Sequence, residues 1–394
     1  MTATGPAPDV GALGDPMAPL AVTGRLDRLR GALSGVNGTE GPPDGLLVTT
    51  TANIRWLTGF TGSAGVLLVT DRRALLTTDG RYRTQAAEQL AGAGVGGEVD
   101  VCVGGVATQR EALADAAGPA ATVGLEAGDV SWAAVTAWEA VFAPRRLLAT
   151  QGVVEALREV KDDGEIARME RAAAIADAAL GSVLHLLADA GHGRGTAPLT
   201  ESGFAAALDH AMRLIGAEDR AFETIVASGE NSAKPHARPG TRVLRPGDPV
   251  VVDFGATYDG YRSDMTRTFC LGGAPSGELA TVFDVVAASQ VAGVASVAPG
   301  VAAGDVDRVC REVITAAGWG DRFEHGTGHG VGLDVHERPA VGAGSTAILE
   351  PGTVVTVEPG VYLPAVGGVR IEDTLVVTGS GSRALTRFPK EVAV

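Results

Sequence analysis

With 394 residues, 45% of them hydrophobic and 20% charged, the chain is long enough for two domains and apolar enough for sizeable cores, which excludes global disorder. A formal net charge of −15 repels a phosphate backbone, so no nucleic-acid partner is expected. Cys102, Cys270 and Cys310 are odd in number and form no Cys-x-x-Cys pair, which points to a reducing, cytoplasmic setting rather than a disulfide frame or thiolate metal site.

In chain order, residues 1–21 lack both a basic start and a continuous apolar run, and read as a disordered tail rather than a secretory leader. Residues 22–152 alternate strand-like and helix-like runs, the pattern of a smaller α/β domain. Within them, 45–50, 66–70 and 73–78 read as buried strands, and 82–91 as a helix stopped by Gly92. Residues 153–190 are strongly helical, with a second start after Asp162 or Asp163 as cap. The remainder of 153–394 is a second, larger domain. Its clearest strands are 250–255, 265–271, 353–360 and 369–377, and its helices 280–298 and 305–317. The apolar-leaning stretch at 284–304 is too interrupted to span a bilayer, so no membrane partner is expected.

Chemistry concentrates in the second domain. In VVVDFGATYDGYRSDMTRTF, Asp259-Gly260 is a two-residue hairpin signal. Pairing Tyr258 with Tyr261 sets 253 opposite 266 and 255 opposite 264, so Asp253 and Asp264 share a face, with Gly255 leaving room beside Asp264. In VEPGVYLPAVGGVRIEDTL, Glu358 ends one strand, while Arg370 and Glu372 share a face of the next, as an ion pair or as part of a pocket. HGTGHGVGLDVHERP carries His325, His329 and His336, three of the seven histidines. The glycines between His325 and His329 disfavour a helix and suit a strand or loop where backbones approach closely. His236 lies in a polar loop after a strand at 224–227. Four carboxylates and one histidine suit hard divalent ions, manganese or cobalt ahead of zinc, and two such ions offset four negative charges. The glycines at 326–332 do not fit G-x-G-x-x-G, which weakens a nucleotide-binding oxidoreductase.

Taken in order, Asp253, Asp264, His329, Glu358 and Glu372 resemble the five-ligand signature of the pita-bread metallopeptidases. VVDFGA, SDMTRTF, HGTGHGVGLDVHE, VEPGVY and RIEDT are similar to the Xaa-Pro aminopeptidase and Xaa-Pro dipeptidase (prolidase) branch. NIRWLTGFTGS and TDGRYRTQA resemble its amino-terminal domain, with Trp56 where tyrosine is common. The resemblance implies an α+β protein: a creatinase-like α/β domain over 22–152, then a catalytic pita-bread domain over 153–394. It implies two divalent metal ions on the five residues, most simply Mn, and a peptide substrate with proline second. His236, His336, Arg370 and His325 fall where that family keeps substrate-contacting and supporting groups, and Glu358 where a proton is shuttled. Xaa-Pro aminopeptidase is the leading expectation because an amino-terminal domain limits access. Prolidase is the alternative, and a non-catalytic peptide-binding relative is disfavoured by the five intact positions. A homodimer or homotetramer is expected by resemblance alone.

Overall fold

The computed structural model describes residues 17–36, 41–194, 197–390 and 393–394. Its chain separates into two compact units, one over Leu20–Arg158 and one from Glu159 to the end that also takes in Pro19. Residues 1–16 of the expected tail lie outside the described residues. Ala18 is not loose, because its carbonyl accepts from Arg168 Nη1 at 3.1 Å.

In the first unit, β1 (Gly45–Val48), β2 (Val66–Thr70), β3 (Ala74–Thr78), β4 (Asp100–Val103), β5 (Thr122–Glu126) and β6 (Arg146–Thr150) form one mixed sheet in the order β4-β3-β2-β1-β5-β6. The helices α1 (Arg25–Ser34), α2 (Thr51–Thr58), α3 (Arg83–Gly92), α4 (Val106–Ala116), α5 (Trp132–Phe142) and α6 (Val153–Arg158) accompany it. The central strands run apolar without alternation because they are buried along their length. Leu47, Leu68, Leu75, Leu113, Val123 and Phe142 make the core. The expected strand 45–50 stops at Val48. Thr49 and Thr50 donate their amides to the Glu126 carboxylate, at 2.6 and 2.9 Å, instead of to a ladder. Glu126 also takes Asn53 Nδ2, and Asn53 Oδ1 takes Arg158 Nη1, both at 2.6 Å. That buried chain ties α6 to the first unit, so the boundary falls at 158/159 rather than 152/153.

The second unit opens with α7 (Asp163–Gly191). Asp162 caps it, accepting from Glu165 N at 2.9 Å while Glu165 accepts from Asp162 N at 3.0 Å. With α8 (Glu201–Ile215), α7 packs against a sheet of β8 (Ile225–Ser228), β9 (Pro249–Phe254) and β12 (Met265–Cys270), around Leu180, Leu187, Phe204, Val252 and Phe269. A small sheet joins β7 (Asp219–Arg220), β10 (Ala256–Tyr258) and β11 (Tyr261–Arg262). On the other half, α9 (Gly277–Ser296) and α10 (Ala303–Ala316) cover β13 (Gly328–Gly330), β14 (Glu337–Val341), β15 (Val354–Val357), β18 (Asp373–Val377) and β19 (Ser382–Ala384). The pair β16 (Gly360–Leu363) and β17 (Gly367–Arg370) completes this half. Both α7 and α9 are long and apolar enough to cross a bilayer, yet each turns residues into a protein core, Leu180 and Leu187 from α7, Val282 and Val286 from α9. The overall class is α+β.

Candidate metal centre

The hairpin forms in the register the sequence implies, with Tyr258 opposite Tyr261 and Asp253 opposite Thr266. Asp259 and Gly260 have φ of 42° and 70°, the paired left-handed conformations of a type I′ turn. The ladder breaks midway, between the β10–β11 and β9–β12 pairings, and Asp264 sits in that break. Gly255 is needed there for a different reason than room beside Asp264: a Cβ on it would run into the Ser263 carbonyl. The Ser263 hydroxyl accepts from Ala256 N at 3.0 Å and secures the kink.

The expected strand 369–377 is two strands in two sheets. Residues up to Arg370 pair with β16, those from Asp373 pair with β15, and Ile371 and Glu372 make the jump. Glu372 donates its amide to the Thr266 carbonyl at 3.1 Å, and its Oε2 accepts from Thr266 Oγ1 at 2.7 Å. Its carboxylate is thereby laid against the hairpin. Arg370 does not pair with Glu372. Its Nη2 meets Asp253 Oδ2 at 2.6 Å, its Nε donates to Thr266 Oγ1 at 3.1 Å, and its Nη1 donates to Tyr362 Oη at 2.9 Å.

His325 and His329 are not helical. His325 lies in a loop, with Nε2 2.8 Å from Tyr362 Oη. His329 lies on β13, where Gly328 and Gly330 let the backbone pass the Thr356 and Arg338 carbonyls. His329 Nδ1 is 3.0 Å from the Gly330 carbonyl, which can only accept, so the proton resides on Nδ1 and Nε2 keeps its lone pair. That Nε2 stands 3.4 Å from Glu358 Oε1 and 3.7 Å from Asp264 Oδ2. The His336 ring lies 4.4 Å from the His329 ring, centre to centre.

All nine side chains singled out from the sequence line one cleft of about 450 Å³, together with Phe222–Ile225 and Pro235–Pro239. Carboxylate oxygens of Asp253, Asp264 and Glu372 lie within 4.8 Å of one another, and all three residues are buried. Burial, then the neighbouring charges of Glu372, Asp253 and Glu358, hold the Asp264 carboxyl well above its usual range. Burial and the charge of Glu358 do the same to Glu372. Glu358 is pushed up to about 8 by burial, against the pull of Arg370. Burial takes His329 down to about 4, which keeps it neutral. So many acids crowded with one guanidinium call for further positive charge. Among the described residues, the buried side-chain oxygens left without a hydrogen-bond partner are Asp253 Oδ1 and Glu372 Oε1. Orphaned carboxylate oxygens beside a neutral imidazole lone pair fit hard divalent cations. Tyr362, Thr266 and Thr356 were not anticipated as supports; the Thr356 hydroxyl accepts from His329 N at 3.0 Å and donates to Glu358 Oε1 at 3.3 Å. Tyr362 stands within the VEPGVY motif, and each threonine is a polar residue inside a fully buried strand, which is the signal that could have found them.

Residues 167–379 match metallopeptidase family M24, and residues 25–160 match the creatinase/prolidase N-terminal domain. A Bacillus subtilis protein described as uncharacterized peptidase YqhT is 40% identical over 351 residues, 89% of this chain and 96% of that one. The Xaa-Pro dipeptidase of Pyrococcus horikoshii is 39% identical over 240 residues, 61% of this chain and 66% of that protein. Among solved structures, an Xaa-Pro dipeptidase from Bacillus anthracis superposes with a TM-score of 0.86 at 35% identity, covering 95% of this chain and all (100%) of that one. An X-Pro aminopeptidase from Thermotoga maritima gives 0.81 at 33%, covering 94% and 100%. Fold and site together define a metal-dependent peptidase of the pita-bread type. The chain belongs to metallopeptidase family M24.

Proposed function

We propose that the protein hydrolyses the bond between an amino-terminal residue and a following proline, and that Xaa-Pro dipeptides are its preferred substrates. The observation that carries the hydrolase reading is the buried Asp253, Asp264 and Glu372 cluster with its two orphaned oxygens. The dipeptide preference reverses the order expected from sequence. It is supported by the dipeptidases among the relatives and by the cleft wall at Pro235–Pro239, where His236 and Arg238 can meet the carboxylate that a dipeptide carries on its proline. Similarity to an X-Pro aminopeptidase keeps that activity as the second reading.

Asp253, Asp264, His329, Glu358 and Glu372 would hold two divalent ions, manganese before cobalt or zinc. Bound there, such ions make water more acidic and polarise the scissile carbonyl. Arg370 holds Asp253 in place and offsets part of its charge. Tyr362 braces both Arg370 and His325. Glu358 is the group that passes a proton towards the leaving nitrogen. His236 and His336 donate hydrogen bonds to the substrate from the cleft wall. The protein is further read as a cytoplasmic homodimer or homotetramer, supported by the free cysteines and the resemblance respectively; light scattering tests the assembly.

Metal-reconstituted protein is assayed on Ala-Pro and Ala-Pro-Ala, with Asp264→Ala as control. Faster turnover of Ala-Pro is expected. Faster cleavage of the tripeptide installs the aminopeptidase reading, and cleavage of neither removes both.

A further inference from the structure

The segment His325–His329 reads His-Gly-Thr-Gly-His, and its glycines give the backbone little stiffness of its own. Gly328 and His329 pair with β14, and the stretch ahead of them is fixed from α10. Asp307 is 1% exposed, and its Oδ1 accepts both from Thr327 N at 3.0 Å and from Thr327 Oγ1 at 2.9 Å. Thr327 lies midway between the two histidines, and its carbonyl accepts from Glu358 N at 2.8 Å. One helical turn on, Arg311 pairs with Asp307 at 2.7 Å and donates to the carbonyls of Phe323, at 2.9 Å, and His325. The Arg311 guanidinium also lies over the Phe323 ring, 4.3 Å from its centre, and that ring meets His325 edge-on. One buried carboxylate therefore sets the backbone that delivers His325, His329 and Glu358.

We propose that Asp307 is a positioning residue of the metal centre, acting through Thr327 to fix His329 and Glu358 against the Asp253, Asp264 and Glu372 cluster. Asp307 touches neither substrate nor metal; its effect passes through the Gly-Thr-Gly backbone. Groups that orient ligands in this way typically weigh about 10–100-fold in metal affinity or activity. The inference rests on the metal reading above.

The test is equilibrium binding of Mn2+ to metal-stripped wild type, Asp307→Ala and Thr327→Val, with circular dichroism for folding, and kcat and KM for Ala-Pro at saturating Mn2+. Asp307→Ala is expected to bind Mn2+ about 10–100-fold more weakly and to lose kcat more than it raises KM. Thr327→Val, which removes one hydrogen bond, should weaken binding about fivefold. A purely structural role would lower thermal stability and leave the Mn2+ affinity of the folded protein unchanged. Folded Asp307→Ala with wild-type affinity overturns the proposal; if that variant does not fold, Thr327→Val with wild-type affinity overturns it. Wild type that takes up no Mn2+ removes the metal reading itself, and this inference with it.

Discussion

Asp264 carries the clearest conflict between stability and function. Its carboxyl is held above its usual range by burial and by Glu372, Asp253 and Glu358, so the metal-stripped centre opposes its own ionisation. Asp264→Asn removes the cost of either ionising this carboxyl or protonating it. The metal-free variant should melt at a higher temperature than metal-free wild type, while Mn2+ should no longer raise its melting temperature; scanning calorimetry with and without Mn2+ decides. Asp177, which does not line the cleft, gives a cleaner pH effect. Burial pushes it up to about 6, although it accepts from Arg387 N and Phe388 N at 2.8 and 3.1 Å. An acid with a raised folded pKa binds protons more tightly when folded. Its share of stability is present below about pH 4 and is lost as pH rises to about 6, by at most ~3 kcal/mol. Urea unfolding at pH 4 and 7 should therefore show a smaller loss for Asp177→Asn than for wild type. Much of this scale was legible in advance. Asp253 and Asp264 were findable because carboxylates inside an apolar hairpin need a positive partner. Tyr362 was not, because a tyrosine in a strand is ordinary until its hydroxyl is seen between Arg370 and His325.

At the scale of elements, local signals succeeded where one residue dictates the backbone. Asp259-Gly260 set a register of six residue pairs along β9 and β12, and Asp162 with Glu165 set the start of α7. Gly260 at φ 70° is the sensitive point of the turn. Gly260→Ala should cost about 1–2 kcal/mol in chemical denaturation, from the left-handed conformation alone. Pattern failed where a strand changes partner. The run from Gly367 to Val377 is buried throughout, so no alternation marks Arg370 as the end of one pairing. Nor does composition reveal that Glu126 takes the amides of Thr49 and Thr50 away from the sheet.

Across the whole molecule, each unit has its own core: the sheet β1–β6 with its helices in one, two helix-covered halves in the other. The acidic cluster belongs to the second alone. Chelation should therefore lower the melting temperature of one calorimetric transition and leave the other in place, and a uniform shift of all heat absorption would contradict this division. The halves of the second unit were foreseeable as strands and helices, but not as halves, since nothing local records which helix covers which sheet.

The crossing at Ile371–Glu372 ties those halves together. Glu372 has spent its amide on β12 and its side chain on the acidic cluster, while its neighbours on either side are zipped into different sheets. Sliding one sheet against the other would drag this carboxylate from its companions, so the seam behaves as a latch whose tension reports the occupancy of the cleft. In hydrogen–deuterium exchange, the Glu372 amide should be among the slowest to label in Mn2+-loaded protein and should speed up on chelation, ahead of the Val354–Val357 amides deeper in the same half.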